Sequence, residues 1–476
     1  MANRYDDYSL VGKEAAIAIE SGLANAGWYT SPVPKERMSE LLRRRDWPAV
    51  RDTAIWFALI IGSGWIGYEF WLTGSWWTIV PFAIYGVLYS TTSDSRWHES
   101  GHGTAFKTDW LNDALYEIAS FMTMREATVW RWSHTRHHSD TLIVGRDPEV
   151  EVKTPPRIVR LIFEELFKME VIPRYFWHLL LHSVGRLTAE EKVFIPQSEH
   201  AKVFVRAPIY LAIYAGVLGL AAYQRSILPL LYIGLPGIYG SWLLPMYAWT
   251  QHAGMAENVL DHRLNCRTVH MNLINRYFYW NMNYHVEHHM FPLVPYYHLP
   301  KLHELVKPDM PAPYSSVWNA WREIVPTILR QVADPSYCVK RNLPTPAART
   351  ASQQHRIFTA QGQPRDGWFE VCPSDVLGQE DVIRFDRGRK TYAIYRTAEG
   401  TLYATDGLCT HGGTHLALGL VKGKLIECPK HNGRFDITDG SAQRMPACKA
   451  LNTHKVRECD SKIYLLAAGT RRDSDA

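Results

Sequence analysis

Cysteine is scarce in this chain, with seven dispersed residues among 476. That scarcity argues against a disulfide-built fold, since small secreted scaffolds concentrate cysteine. The opening stretch MANRYDDYSLVGKEAAIAIE lacks a basic start followed by an apolar core, so no cleaved secretory leader is expected. There is no long internal repeat. Charge of one sign is lacking too: 52 Lys and Arg against 47 Asp and Glu leave +5, which fits ordinary solubility and a positive-inside bias. No nucleic-acid partner is expected.

Charge is almost missing from four apolar runs. Residues 53–72 carry only Glu69, 76–92 none, 203–223 only Arg206, and 227–249 none. Each could cross roughly 30 Å of hydrocarbon as a helix. Residues 73–75 and the pair Gln224–Arg225 are short connections, so the runs read as two hairpins. Arg43, Arg44, Arg45 and Arg51 precede the first run, and many Lys and Arg lie between the second and third. This bias places both long polar stretches on the cytoplasmic side of an inner membrane. The expected fold is an α-helical, multi-pass membrane protein with four transmembrane helices and a cytoplasmic helical cap. A small all-β domain follows at the C-terminus.

Helical periodicity marks 111–124, 158–169 and 316–332, and the aromatic stretch 171–181 reads as an interfacial helix. Composition shifts at 333–365, which contains Pro335, Pro344, Pro346 and Pro364 and reads as a linker. Beyond it, alternating runs such as TYAIYR and KIYLL between Gly and Asp turns indicate β structure. The expected division is an N-terminal cytoplasmic segment 1–52, a membrane domain 53–332, the linker, a β domain 366–468 and a tail 469–476.

Histidine is abundant and ordered. His98 and His102 lie in HESGH, His134, His137 and His138 in HTRHH, His252 in TQH, and His285, His288 and His289 in HVEHH. Spacings of three and four put each set on one helix face. Imidazole suits iron, copper, nickel or zinc. All three boxes fall on the expected cytoplasmic side, so they can converge beneath the bilayer. Residues 53–305 resemble the membrane fatty acid desaturase and hydroxylase superfamily, including alkane hydroxylases, with the boxes in matching order. That resemblance implies a pair of nonheme iron ions held by the eight box histidines and His252, which activates O2 at an unactivated C–H bond. His262 and His270 compete with His252 for the ninth position. Glu99, Glu287, Asp94, Asp109 and Asp113 are candidate acceptors for the outer ring nitrogens. The pair His178 and His182 matches no box and is set aside.

Near the C-terminus, Cys409 and His411 are followed, after sixteen residues, by Cys428 and His431. Two thiolates and two imidazoles on two loops form a Rieske [2Fe–2S] ligand set, with zinc as the rival. The CTHGG and CPKHNGRFD contexts resemble Rieske ferredoxin domains over residues 366–468. Respiratory Rieske proteins carry an extra cysteine in each loop and a Ser and a Tyr beside the cluster. Thr414, Lys430, Gly433 and Phe435 stand at those positions, and fewer hydrogen bonds to sulfur imply a lower potential. Cys266, Cys338, Cys372, Cys448 and Cys459 are expected to be plain thiols.

The two signatures together suggest an O2-dependent oxygenase carrying its own electron donor. Electrons would come from NAD(P)H through an external flavin reductase, and fusion would raise the donor's effective concentration to about the mM scale. Transfer within one chain or between chains of a homo-oligomer stays open. The substrate would be a small apolar or amphiphilic molecule that is hydroxylated or oxidatively dealkylated. The alternatives are fatty acyl desaturation on the same apparatus and a non-enzymatic membrane-tethered Rieske carrier. A mononuclear Rieske oxygenase is disfavoured, because its catalytic domain follows the cluster.

Overall fold

The computed structural model describes residues 4–24, 27–344, 357–360, 364–430 and 432–466. Much of the predicted linker and the whole tail 469–476 lie outside the described residues. The chain divides into a helical unit, residues 1–31, 41–290 and 294–345, and a second unit, residues 32–40, 291–293 and 346–476, that contains the β-sheets.

Among the described residues two helices, Asp46–Leu72 and Gln197–Gln224, are long and apolar enough to cross a membrane. Ile61, Trp65 and Ile66 on the first and Val205, Ile209 and Leu218 on the second face outward. A helix that is apolar on its outer face as well as its inner one is suited to lipid.

The other two apolar runs do not form single long helices, so this measure yields two spans where the sequence suggested four. The second run makes a turn at Trp76–Thr78 and a helix Ile79–Tyr89, pauses at Ser90 and resumes as Thr91–His102. The pause falls in a Ser-Thr-Thr-Ser stretch whose hydroxyls bond backward. Thr92 donates to Leu88 O and Ser93 to Tyr89 O, competing with the helical ladder. The fourth run is divided into Leu228–Tyr232, Pro236–Tyr239 and Leu244–His252. Pro229, Pro236 and Pro245 each lack a backbone donor, and Gly234 adopts φ +100°. These divided runs meet backbone to backbone. A Cβ added at Gly240 would lie 2.0 Å from Gly86 O, and one at Gly86 would lie 2.2 Å from the Tyr239 ring.

The polar stretches fold largely as the periodicity indicates, into helices Asp109–Met122, Ile158–Phe167, Val171–Ser183 and Val317–Ala333. Ser316 caps the last by accepting from Asn319 N.

Among its described residues the second unit has eleven strands: β1 Ile357–Thr359, β2 Trp368–Pro373, β3 Asp381–Arg387, β4 Lys390–Arg396, β5 Leu402–Asp406, β6 Leu420–Lys422, β7 Leu425–Glu427, β8 Arg434–Asp436, β9 Ala442–Arg444, β10 Thr453–Cys459 and β11 Lys462–Leu466. One sheet runs β1-β3-β4-β5-β10-β11-β2 and the other β6-β7-β8-β9. Strand β3 alternates buried Asp381, Ile383 and Phe385 with half-buried neighbours, the period-two pattern of a one-sided sheet. Phe369, Phe385, Ile394, Ile463 and Leu465 fill one core, while Leu416, Ile426, Phe435 and Ile437 pack around Cys409 and Cys428 in a second.

Candidate metal centre

The first histidine box sits on Thr91–His102, the continuation of the second apolar run, where every residue but Gly101 is buried. One turn separates His98 from His102, so both rings leave the same face. Arg96 braces this helix on its other side. Its guanidinium lies 4.7 Å from the Trp280 ring centre and donates to Phe278 O at 2.7 Å, tying the first box to the segment that leads into the third. The second box sits on Ala127–Ser139, whose N-cap Glu126 accepts from Val129 N at 2.7 Å. His252 ends the helix Leu244–His252, and the third box occupies His285–Met290.

All nine predicted histidines come together, in two groups. His98, His102, His134, His138 and His288 form one, and His137, His252, His285 and His289 form the other, with the ligand atoms of each group within 4.8 Å of one another. The groups adjoin: the rings of His138 and His289 stack at 4.2 Å. Within the first, His98 Nε2 lies 2.7 Å from His288 Nε2, and His134 Nε2 lies 3.2 Å from those of His98, His102 and His138. Within the second, His285 Nε2 lies 2.9 Å from His252 Nε2 and 3.0 Å from His289 Nε2. A neutral imidazole has one donor and one acceptor nitrogen, so this many converging nitrogens cannot all be satisfied by hydrogen bonds to each other.

Burial, reinforced by neighbouring imidazoles, holds His98, His134, His138, His285, His288 and His289 well below the ordinary histidine pKa. Burial pushes His102 and His252 down to about 3. Neutral rings keep their lone pairs free for a metal. His137 is the exception: burial opposes its protonation, but Asp147 beside it raises it to about 9. The donor set fits a pair of adjacent transition-metal ions.

Four of the outer ring nitrogens find partners that the sequence did not reveal. His137 Nδ1 lies 2.9 Å from Asp147 Oδ2, and His134 Nδ1 lies 2.9 Å from Glu149 Oε2. His252 Nδ1 meets Asn265 O at 2.9 Å, and His289 Nδ1 meets Thr141 Oγ1 at 3.2 Å. The carboxylates suggested from sequence serve elsewhere. Glu99 accepts from Thr104 at 2.7 Å and Tyr296 N at 3.1 Å, and burial pushes it up to about 7. Glu287 accepts from Thr268 and His303, Asp94 pairs with Arg125 and Asp113 with Arg131. Asp109 opens the helix Asp109–Met122.

Of the competitors to His252, His270 stacks edge-on to His303 instead, whereas His262 and Cys266 form a further possible ligand group with His289. Trp28 stacks on His262 at 4.2 Å and donates through Nε1 to Ser139 O at 3.0 Å. The N-terminal segment thus reaches the centre, which its sequence gave no sign of.

In the β unit, two similar turns present the cysteines. Cys409 N donates to Thr414 O at 2.9 Å, and Cys428 N donates to Gly433 O at 2.8 Å. Both thiols are buried, and the Cys428 side chain beside it lowers Cys409 to about 7. His411 follows Cys409 on its loop, while His431 lies outside the described residues. None of the seven cysteines is in a disulfide.

Residues 74–321, just over half of the chain, match the model of the family described as fatty acid desaturase. The chain belongs to this family. Residues 367–455 match the Rieske [2Fe–2S] domain. The ferredoxin component of the naphthalene 1,2-dioxygenase/salicylate 5-hydroxylase systems of Ralstonia sp. is 37% identical over 98 residues, 21% of this chain and 93% of that protein. The ferredoxin component of the naphthalene 1,2-dioxygenase system of Pseudomonas putida is 42% identical over 91 residues, 19% of this chain and 86% of that protein. A Sorghum bicolor protein named "Probable fatty acid desaturase DES1" is 23% identical over 305 residues, 59% of this chain and 75% of that protein. The desaturase-family oxidoreductase therefore carries a fused C-terminal Rieske electron-transfer domain with a [2Fe–2S] cluster.

Proposed function

We propose that this desaturase-family protein is a membrane-bound, O2-dependent diiron oxygenase that hydroxylates or oxidatively dealkylates an apolar or amphiphilic small molecule. His98, His102, His134, His138 and His288 would hold one iron, and His137, His252, His285 and His289 the other. Cys409, His411, Cys428 and His431 would hold the Rieske cluster. The reading rests on one observation above all: nine imidazoles, eight of them buried and that of His252 half-buried, gather in two adjoining groups with their nitrogens turned inward. Two irons bound there supply activation of O2 toward a C–H bond, consuming O2, two electrons and two protons and yielding hydroxylated product and water. Asp147, Glu149, Thr141 and Asn265 O fix the orientation of four of the rings. An NAD(P)H-dependent flavin reductase would supply the electrons through the cluster.

We place the membrane domain at 53–332 and the Rieske domain at 366–468, joined by 333–365. All four apolar runs would lie in an inner bilayer, the divided ones packed between the two long helices, with both metal centres on the cytoplasmic side.

Metal analysis tests the ligand assignment. The full-length protein should contain about four irons and two acid-labile sulfides per chain, two irons at each centre. Two irons together with zinc would sink it. The reaction itself is tested by incubation with reductase, NADH and labelled O2 against alkanes, acyl lipids and methylated amines or ethers. Label in an alcohol or a released aldehyde supports oxygenation. A new double bond with the label only in water supports acyl desaturation, the second reading, which the similarity to the Sorghum protein favours.

A further inference from the structure

Away from the nine histidines, His178, His182 and Glu191 bring three ligand atoms within 4.8 Å of one another. His178 and His182 are one turn apart on the helix Val171–Ser183, and Glu191 opens the next helix, Glu191–Phe194. Both His178 Nδ1 and His182 Nε2 lie 3.1 Å from the same oxygen, Glu191 Oε1. The local sequence dictates that arrangement. Thr188 and Glu191 form a reciprocal capping box, in which Glu191 Oε2 accepts from Thr188 N at 2.8 Å and from its hydroxyl at 2.9 Å, while Glu191 N donates to Thr188 Oγ1 at 3.2 Å. One carboxylate oxygen is pinned, and the other is aimed at the two imidazoles.

We propose that His178, His182 and Glu191 form a separate site for a divalent transition metal of the zinc class. Zinc bonds to nitrogen and oxygen are about 2.0–2.2 Å, so neighbouring ligands in a tetrahedral site stand about 3.3–3.6 Å apart. The two 3.1 Å separations come within a few tenths of an ångström of that edge. Two histidines and one carboxylate leave the fourth position to solvent, and the exposure pattern provides a way in. The side chains of His182 and Glu191 are 1% and 5% exposed, whereas that of His178 is 32% exposed. The Thr188 bonds to the ligating carboxylate are the outer support that metal sites use to fix their ligands. No residue is shared with the nine-histidine centre. An ion here would clamp the helix Val171–Ser183 to Glu191–Phe194, which packs against the second-box helix Ala127–Ser139. Its role would be to stiffen the support of that box.

The competing description is a hydrogen-bonded latch in which both imidazoles donate to Glu191, and zinc binding separates the two. The iron-loaded full-length protein is dialysed against zinc chloride alone, with zinc and iron then measured per chain, for the native sequence, His178→Ala and Glu191→Gln. The expected result is about one zinc per chain with all iron retained. Affinity should fall at least tenfold in His178→Ala, whose altered side chain is partly exposed, with iron content unchanged. Glu191→Gln, which keeps an acceptor for Thr188, should weaken zinc comparably. Cobalt(II) should give the intense visible bands of a tetrahedral site in the native protein and lose them in both variants. Zinc uptake equal in all three proteins, uptake only with loss of iron, or no binding at micromolar zinc would overturn the proposal in favour of the latch.

Discussion

His137 Nδ1–H donates to Asp147 Oδ2 at 2.9 Å, and both side chains are buried. The same carboxylate accepts from Leu142 N and Glu149 N, each at 2.8 Å. One side chain therefore aims a ring of the second histidine group and also shapes the loop that delivers Glu149 to His134. Asp147→Asn keeps the shape but loses one acceptor. It should weaken iron binding at the nine-histidine centre by about 10–100-fold, while leaving cluster iron and labile sulfide intact. Iron titration against a competing chelator checks this, and native affinity in the variant would contradict it.

Trp28 belongs to a segment with no recognisable motif, yet its ring lies parallel to that of His262 at 4.2 Å, within 5°. His262 in turn lies 5.1 Å from His289, ring centre to ring centre. Trp28→Ala removes the stack, worth about 0.5–1.5 kcal/mol, and the bond to Ser139 O, worth about 0.5–1.5 kcal/mol. The helical unit should then melt a few degrees lower, with the Rieske absorption unaffected. Trp28→Phe should recover part of the stack and none of the hydrogen bond.

The contrast between these two residues explains what the sequence disclosed. The histidine boxes were legible because helical spacing converts directly into a shared face, so His98 and His102 needed no tertiary information. Asp147 and Glu149 were not, because their contact with the second box depends on a loop that turns back through backbone bonds to Asp147. Nearer acidic residues such as Glu99 and Glu287 looked better placed and are used elsewhere. Hydropathy located four apolar runs. It could not say which would stay helical, since an average over 227–249 is blind to Pro229, Gly234, Pro236 and Pro245. The cysteine turns of the Rieske domain were readable because Cys409 and Cys428 occur in short, self-contained loops.

Gly86 and Gly240 set how closely the two divided runs approach. Gly86→Ala would put a methyl 2.2 Å from the Tyr239 ring, which cannot be absorbed without moving a helix. Overpacking of this kind costs about 1–3 kcal/mol, so the variant should accumulate poorly and melt early. Gly62→Ala, with nothing within 4 Å of the added methyl, is the matched control and should behave as native or slightly better. Equal melting of the two variants would mean the runs are not packed this closely.

Phe435 is fully buried in the cluster of side chains around Cys409 and Cys428, at the position where respiratory Rieske proteins have a hydrogen-bonding tyrosine. A hydroxyl added there by Phe435→Tyr would stabilise the reduced cluster, whose sulfurs carry more negative charge. One net hydrogen bond is worth about 0.5–1.5 kcal/mol. With 59 mV for each tenfold change in a one-electron equilibrium, the reduction potential should rise by about 20–60 mV in a redox titration. A higher potential eases reduction by a flavin reductase but lowers the driving force for passing each electron onward, so turnover should slow while cluster reduction quickens. If the potential stays unchanged and the variant is only less stable, the hydroxyl is buried without a sulfur partner. The low potential expected of this domain would then have to come from a source other than the missing bond.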